Sequence, residues 1–238
     1  MPAMHGSEEE VSIPVPDAWS SVSALVIVQQ SPVVVIATHP WGPMGGSMYD
    51  PHPTTACRLM AEAGCSTARF NFRGGINFGG SSIADVKAVA DWFTEPREGG
   101  PPLASQVLLV GYSYGSLVAA AAASEIPRCI GYAVVNPPIS YSWALYLFNG
   151  RQMMQKAADS VGRPKLLMIG TEDVFCSVDT FQSFVDSLPE PKTAVVKEGV
   201  DHFSMYRHLR AALTSWITAS FGVADLPSFA RTGAGSRR

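Results

Sequence analysis

Val107-Leu108-Leu109-Val110-Gly111-Tyr112-Ser113-Tyr114-Gly115-Ser116-Leu117-Val118 runs from an apolar stretch, through a serine set between two glycines, into five consecutive alanines. The order reads as a buried strand, a sharp turn and a small-residue helix. Glycine is needed on both sides of such a turn because a Cβ there would collide with the neighbouring strand and helix. The serine at the tip is pushed clear of the sheet, with backbone N–H groups beside it. That is the physical content of the Gly-x-Ser-x-Gly nucleophile elbow, and its weight depends on what surrounds it.

The rest of the chain bounds that context. Its 238 residues suit one sizeable domain with a full core. Hydrophobic residues make up 47% and charged residues only 16%, which describes a compact globular protein. A formal net charge of −3 gives no reason to expect nucleic acid or an anionic membrane surface as partner. Cys57, Cys65, Cys129 and Cys176 lack metal-ligand or C-x-x-C spacing, so they read as free thiols in a reducing compartment. Met1 to Glu10 is polar and acidic, and no run of eighteen apolar residues exists. The expectation is a cytoplasmic protein with no membrane span and no metal.

Outward from the elbow, apolar runs alternate with helical periodicity. Val11–Val15 and Val22–Gln29 read as an antiparallel pair entering a mainly parallel sheet, and 33–38 is apolar throughout, as in a central strand covered on both faces. A glycine- and proline-rich loop, 39–48, follows. Helical spacing recurs over 54–62, over Ile83, Val86, Ala90 and Phe93, over Val178 to Leu188, and over Tyr206 to Ile217. Further strands are expected at 67–72, 129–135, 166–169 and 193–196. Residues 1–9 and 223–238 read as flexible tails around a domain of 10–222, and the irregular stretch 137–163 as a short cap. The rhythm predicts an α/β fold, with a mostly parallel central sheet covered by helices on both faces. In such sheets functional groups gather at the carboxyl ends of the strands.

A serine hydroxyl becomes a competent nucleophile only with a base to take its proton, and the base needs an acceptor to hold its tautomer. Ser113, Asp173 and His202 occur in the order Ser, Asp, His, and each follows an expected strand. Glu172 competes with Asp173 for the acid. Asp201 is too close to His202 in sequence to orient its ring and is assigned to the loop. His39 and His52 read as loop-building residues. The oxyanion of acyl transfer needs two donors. One is the Tyr114 N–H after the serine. The other comes from the loop after the 33–38 strand, where Pro40 has no N–H and Trp41 is the nearest donor, with Gly45 or Gly46 as alternatives. Arg73 reads as a pin between the following glycine loop and nearby carbonyls. Met44, Tyr112, Tyr141, Trp143 and Tyr146 are the candidate substrate-pocket residues.

His39-Pro40 with Gly45-Gly46-Ser47-Met48, Arg69-Phe70-Asn71-Phe72-Arg73-Gly74, the elbow, and Asp201-His202-Phe203 together resemble the small single-domain α/β hydrolases related to dienelactone hydrolases and to the catalytic domain of Xaa-Pro dipeptidyl peptidases. The likeness runs from about Val33 to Ile217. It implies the α/β-hydrolase fold and a cofactor-free serine hydrolase using Ser113, Asp173 and His202. The chain departs from the pattern after Arg73, where the glycine loop is stretched to Gly74-Gly75-Ile76-Asn77-Phe78-Gly79-Gly80-Ser81. The expected activity is that of a carboxylesterase-like enzyme acting on a small or medium ester or thioester. A peptidase acting on an amide, and a binding protein that keeps the fold without the chemistry, are the alternatives. The physiological substrate and the oligomeric state are not legible.

Overall fold

The computed structural model describes residues 6–16, 19–73, 80–96, 100–145 and 149–234. Eight strands form one sheet: β1 (Glu9–Pro14), β2 (Ser21–Ile27), β3 (Val33–Thr38), β4 (Ser66–Phe70), β5 (Gln106–Tyr112), β6 (Cys129–Val135), β7 (Lys165–Glu172) and β8 (Lys192–Asp201). Their spatial order is β1-β2-β4-β3-β5-β6-β7-β8. β2 runs antiparallel to both β1 and β4, and every pairing from β4 to β8 is parallel. The sheet is therefore mixed at one edge, as the first two strand segments led one to expect.

Alternate residues of the central strands feed two separate cores. On β3, Val34 and Ile36 join one apolar cluster, while Val33, Val35 and Ala37 join the other. The first cluster is closed by α2 (Gly80–Thr94), α3 (Tyr114–Glu125) and α6 (Val178–Ser187), the second by α1 (Pro51–Ala63) and α7 (Tyr206–Phe221). This two-sided burial is why β3 carries no polar residue before Thr38. The alanine run of α3 is fully buried, and the small side chains let that helix lie between the sheet, α2 and α5 (Gly150–Ala158).

Three boundaries differ from the sequence expectation. The stretch expected as a tail from 223 contains a further helix, α8 (Leu226–Thr232), with Leu226, Phe229 and Ala230 buried. Asp225 caps it by accepting from the Ser228 N–H at 2.7 Å. The carbonyl of Ala230 accepts from the Ser31 hydroxyl at 2.7 Å, and Gln106 bonds Ala234 through both ends of its amide, at 3.0 and 2.8 Å. Three apolar residues in seven are too few to register as a period. At the other end, Glu8 forms an ion pair with Arg69 of β4, so the packed chain begins before residue 10. Finally, much of the 137–163 cap is ordinary scaffold. α5 buries Met153 and Ala157 and packs on α3, and among the described residues only the 3-10 turn Ile139–Tyr141 and α4 (Ser142–Leu145) remain as a cap-like segment. Among the described residues no helix is long and apolar enough to cross a membrane.

Candidate active site

The elbow is enforced by its glycines. A Cβ on Gly111 would lie 2.5 Å from the Gly115 carbonyl oxygen, and one on Gly115 would lie 2.5 Å from the His39 carbonyl oxygen. Ser113 takes φ +52°, a left-handed conformation that costs a non-glycine residue energy and persists because the packed surroundings impose it. Its N–H is satisfied by the Val135 carbonyl, so the turn is tied to β6.

Strand register then brings the other two groups together. Glu172 on β7 lies opposite Asp201 on β8, beyond an irregularity at Gly170, so the next residue on each strand, Asp173 and His202, lies beside the other. His202 Nδ1–H donates to Asp173 Oδ2 at 2.7 Å, and His202 Nε2, left as the acceptor, receives the Ser113 hydroxyl at 3.0 Å. The second carboxylate oxygen of Asp173 accepts from the N–H groups of Phe175 (2.8 Å) and Cys176 (3.2 Å), which fixes the acid in place. The Asp173 side chain is fully buried, whereas Glu172 is exposed. Asp201 accepts from the Phe203 and Ser204 N–H groups and so shapes the histidine loop, as its position suggested.

The His202 main chain is also clamped. Its carbonyl accepts from the Asn136 amide at 2.8 Å and from the Tyr112 hydroxyl at 3.1 Å, and Asn136 also reaches the Asp201 carbonyl at 3.3 Å. Asn136 is fully buried with φ +47°, at the carboxyl end of β6. Burial, with Asp50, Asp173 and Asp201 nearby, raises the Tyr112 phenol well above its usual range, so it stays a donor.

The loop after β3 is packed directly on the elbow. The Thr38 hydroxyl donates to the Gly115 carbonyl at 2.9 Å. His39 Nδ1–H donates to the Pro40 carbonyl, and Nε2 accepts from the Phe72 N–H at 3.0 Å. Burial pushes the His39 imidazole down to about 4, matching its role as a neutral brace. The Gly45 and Gly46 N–H groups are engaged within the loop, on the carbonyls of Gly42 and Trp41. Neither bond uses the Trp41 N–H. Arg73 does not chiefly pin carbonyls, contrary to the sequence reading. Its guanidinium pairs with buried Asp85 of α2 at 2.5 Å, with weaker bonds to Ser20 and the Ser81 carbonyl.

A cavity of about 160 Å³ opens onto Ser113 and His202. Met44 and Tyr112 line it, as expected, and the Trp41 side of the loop does so too. Tyr141 and Trp143 do not: they lie outside its wall, 45% and 71% exposed. Tyr146 lies outside the described residues. Wall residues that sequence reading missed include Asp50, Leu145, Phe175 and Phe203. Phe175 and Phe203 flank the His202 ring at 4.5 and 5.3 Å between centroids. Each sits within two residues of Asp173 or His202, a signal available only once those two are paired. All four cysteines are buried free thiols, with Cys57 and Cys65 raised to about 12 by burial. Among the described residues no group of three or more His, Cys, Asp or Glu is placed to hold a metal ion.

No family model matches the chain. An uncharacterized protein, RP471 of Rickettsia prowazekii, is 21% identical over 188 residues, 73% of each chain. Among solved structures, an alpha-beta serine hydrolase homologue from Coxiella burnetii is 25% identical, with a TM-score of 0.68 over 86% of this chain and 95% of that one. A serine hydrolase without lid from Xanthomonas campestris superposes with a TM-score of 0.69 at 23% identity, covering 91% and 94%. A dienelactone hydrolase from Anabaena variabilis gives a TM-score of 0.70 at 16% identity, covering 90% and 98%.

Proposed function

We propose that this chain, a protein of the α/β-hydrolase superfamily, cleaves a carboxylic ester or thioester through an acyl-enzyme on Ser113. The observation that carries the reading is the unbroken relay from Ser113 Oγ to His202 Nε2 and from His202 Nδ1 to Asp173 Oδ2, at 3.0 and 2.7 Å. His202 takes the serine proton as Oγ attacks the carbonyl carbon, then returns it to the departing alcohol or thiol. Asp173 holds the tautomer and stabilises the imidazolium that forms. The Tyr114 and Trp41 amides receive the oxyanion, an interaction in which each donor contributes about 3 kcal/mol to lowering the barrier. Water activated by the same histidine then releases the acid.

The dimensions of the cavity favour small or medium acyl groups. About 150 Å³ is enough for a benzene-sized molecule, and this cavity measures about 160 Å³. A fluorophosphonate probe tests the central claim: one label per chain is expected, and it should vanish in Ser113→Ala. Absence of labelling, or labelling that survives the substitution, refutes it and leaves the non-catalytic alternative. A panel of p-nitrophenyl esters beside thioesters and aminoacyl amides separates esterase, thioesterase and peptidase. Fastest turnover on long-chain esters would overturn the assignment to small or medium acyl groups.

A further inference from the structure

Asp50 stands in the wall of the cavity that holds Ser113 and His202, a carboxylate outside the relay. It begins α1, and its Oδ1 accepts from the His52 N–H at 3.0 Å and from His52 Nδ1–H at 2.9 Å. Its side chain is 21% exposed, so it is neither sealed away nor freely solvated. The partner that holds it brings no compensating charge. His52 is 2% exposed, its ring is stacked 3.4 Å above Tyr112, and burial lowers its pKa from the ordinary value, so the imidazole is neutral.

Among the described residues no lysine or arginine lines the cavity. Arg73, on the loop after β4, is committed to Asp85. The second carboxylate, Asp173, is paired with His202. Trp41, Met44, Phe175 and Phe203 make the rest of the wall largely apolar and aromatic. A carboxylate without a counter-ion in such a space repels anions and attracts cations more strongly than it would on an open surface. The aromatic faces add to the attraction for an ammonium group.

We propose that Asp50 is a cation subsite, and that the group entering this cavity carries an ammonium or similar positive charge near the reacting ester or amide. This deepens the hydrolase reading, from which it takes only the position of the reacting carbon. It also separates the site from one built for a carboxylate-bearing substrate, which would need a basic residue where this wall has an acid.

The test reads binding, not turnover. Ser113→Ala protein is titrated by calorimetry with benzylammonium, benzyl alcohol and benzoate, which match in size and differ in charge. Benzylammonium should bind about tenfold tighter than benzoate at low ionic strength, with the ratio shrinking as salt is added. Adding Asp50→Asn keeps an oxygen to cap α1 and receive His52, and should bring the ratio within about threefold. If that variant does not fold, Asp50→Ser retains a capping oxygen without charge and carries the same expectation. Benzoate binding as well as benzylammonium, no detectable benzylammonium binding, or a ratio unchanged by both substitutions would each overturn the proposal. Since the nucleophile is absent throughout, none of these outcomes bears on Ser113. Conversely, failure of the fluorophosphonate experiment would leave the cation subsite standing.

Discussion

At the elbow, a Cβ on Gly115 would meet the His39 carbonyl oxygen at 2.5 Å. At the cavity rim, a Cβ on Gly45 would meet nothing within 4 Å, and glycine is favoured there only by a φ of +87°. The two glycines sit in regions built on different terms. The elbow, β5, β6 and the acid and histidine loops are locked by strand register, backbone bonds and close contacts on every side. The rim, formed by the 40–50 loop and the short 138–145 segment, is held by a few local bonds and presents Met44, Tyr141 and Trp143 to solvent. Chemistry depends on atoms placed to a fraction of an ångström, and choice of substrate does not. The first region therefore tolerates little change, while the exposed side chains of the second can vary without disturbing the fold.

Several substitutions sharpen or break that contrast. The largest effect is expected from Ser113→Ala or His202→Ala, which should lower kcat on a short p-nitrophenyl ester by roughly 10³- to 10⁶-fold with an unchanged circular dichroism spectrum. Gly115→Ala should cost about 3 kcal/mol of folding stability, because backbone must move to admit the methyl. Gly45→Ala should cost about 1 kcal/mol. Urea denaturation compares the two, and equal losses would dissolve the distinction.

Acid should act on the locked region through His39. Its imidazole sits at about 4 in the folded protein, below the ordinary 6.5, so between those values the unfolded chain binds the extra proton. Stability that is full above pH 6.5 is thus lost as pH falls toward 4. The share from His39 is about 2 kcal/mol between pH 7 and 5. His39→Gln should flatten the pH dependence of the urea midpoint by that amount, and a slope identical to wild type would remove the assignment.

Asn136→Ala releases the His202 and Asp201 carbonyls without touching the cavity wall. It should lower kcat about tenfold to a hundredfold, with KM within about twofold. A rise in KM alone would mean that the clamp acts on the pocket instead. The smallest effect is expected at Trp143→Ala, which should leave kcat/KM for short esters within about twofold, since that side chain stands outside the cavity wall.

What could be read from sequence follows the same division. The elbow announces itself because its turn demands particular residues at fixed offsets. Asp173 and His202 could be put forward because chain order and strand ends define their slots, and the structure brings all three side chains into hydrogen-bond contact. The paired strands at the start were legible from their composition. α8 was not, because its helix is short and most of its evidence lies in tertiary contacts to Ser31 and Gln106. The cap was overestimated because the aromatic residues of 137–163 resemble a pocket lining, whereas α5 uses Met153 and Ala157 to cover α3. Asp50 and Phe175 escaped notice because lining a cavity leaves no periodic trace. The neutrality of His52, which leaves Asp50 without a counter-charge, depends on burial that only the folded chain reveals.

α8 also bears on the order in which the protein can be completed. Phe229 lies in the second core, its ring 4.9 Å from Phe221, with Leu226 and Ala230 buried beside it. Synthesis proceeds from the amino end, so the strands, the Ser113 turn and the His202 loop all leave the ribosome before the piece that seals the α1–α7 side. Until residue 230 has cleared the exit tunnel, the nascent domain holds its reactive groups but has an open apolar seam. A stop codon shortly after Gly222 would make that seam permanent, turning a chain with every reactive group intact into one prone to association.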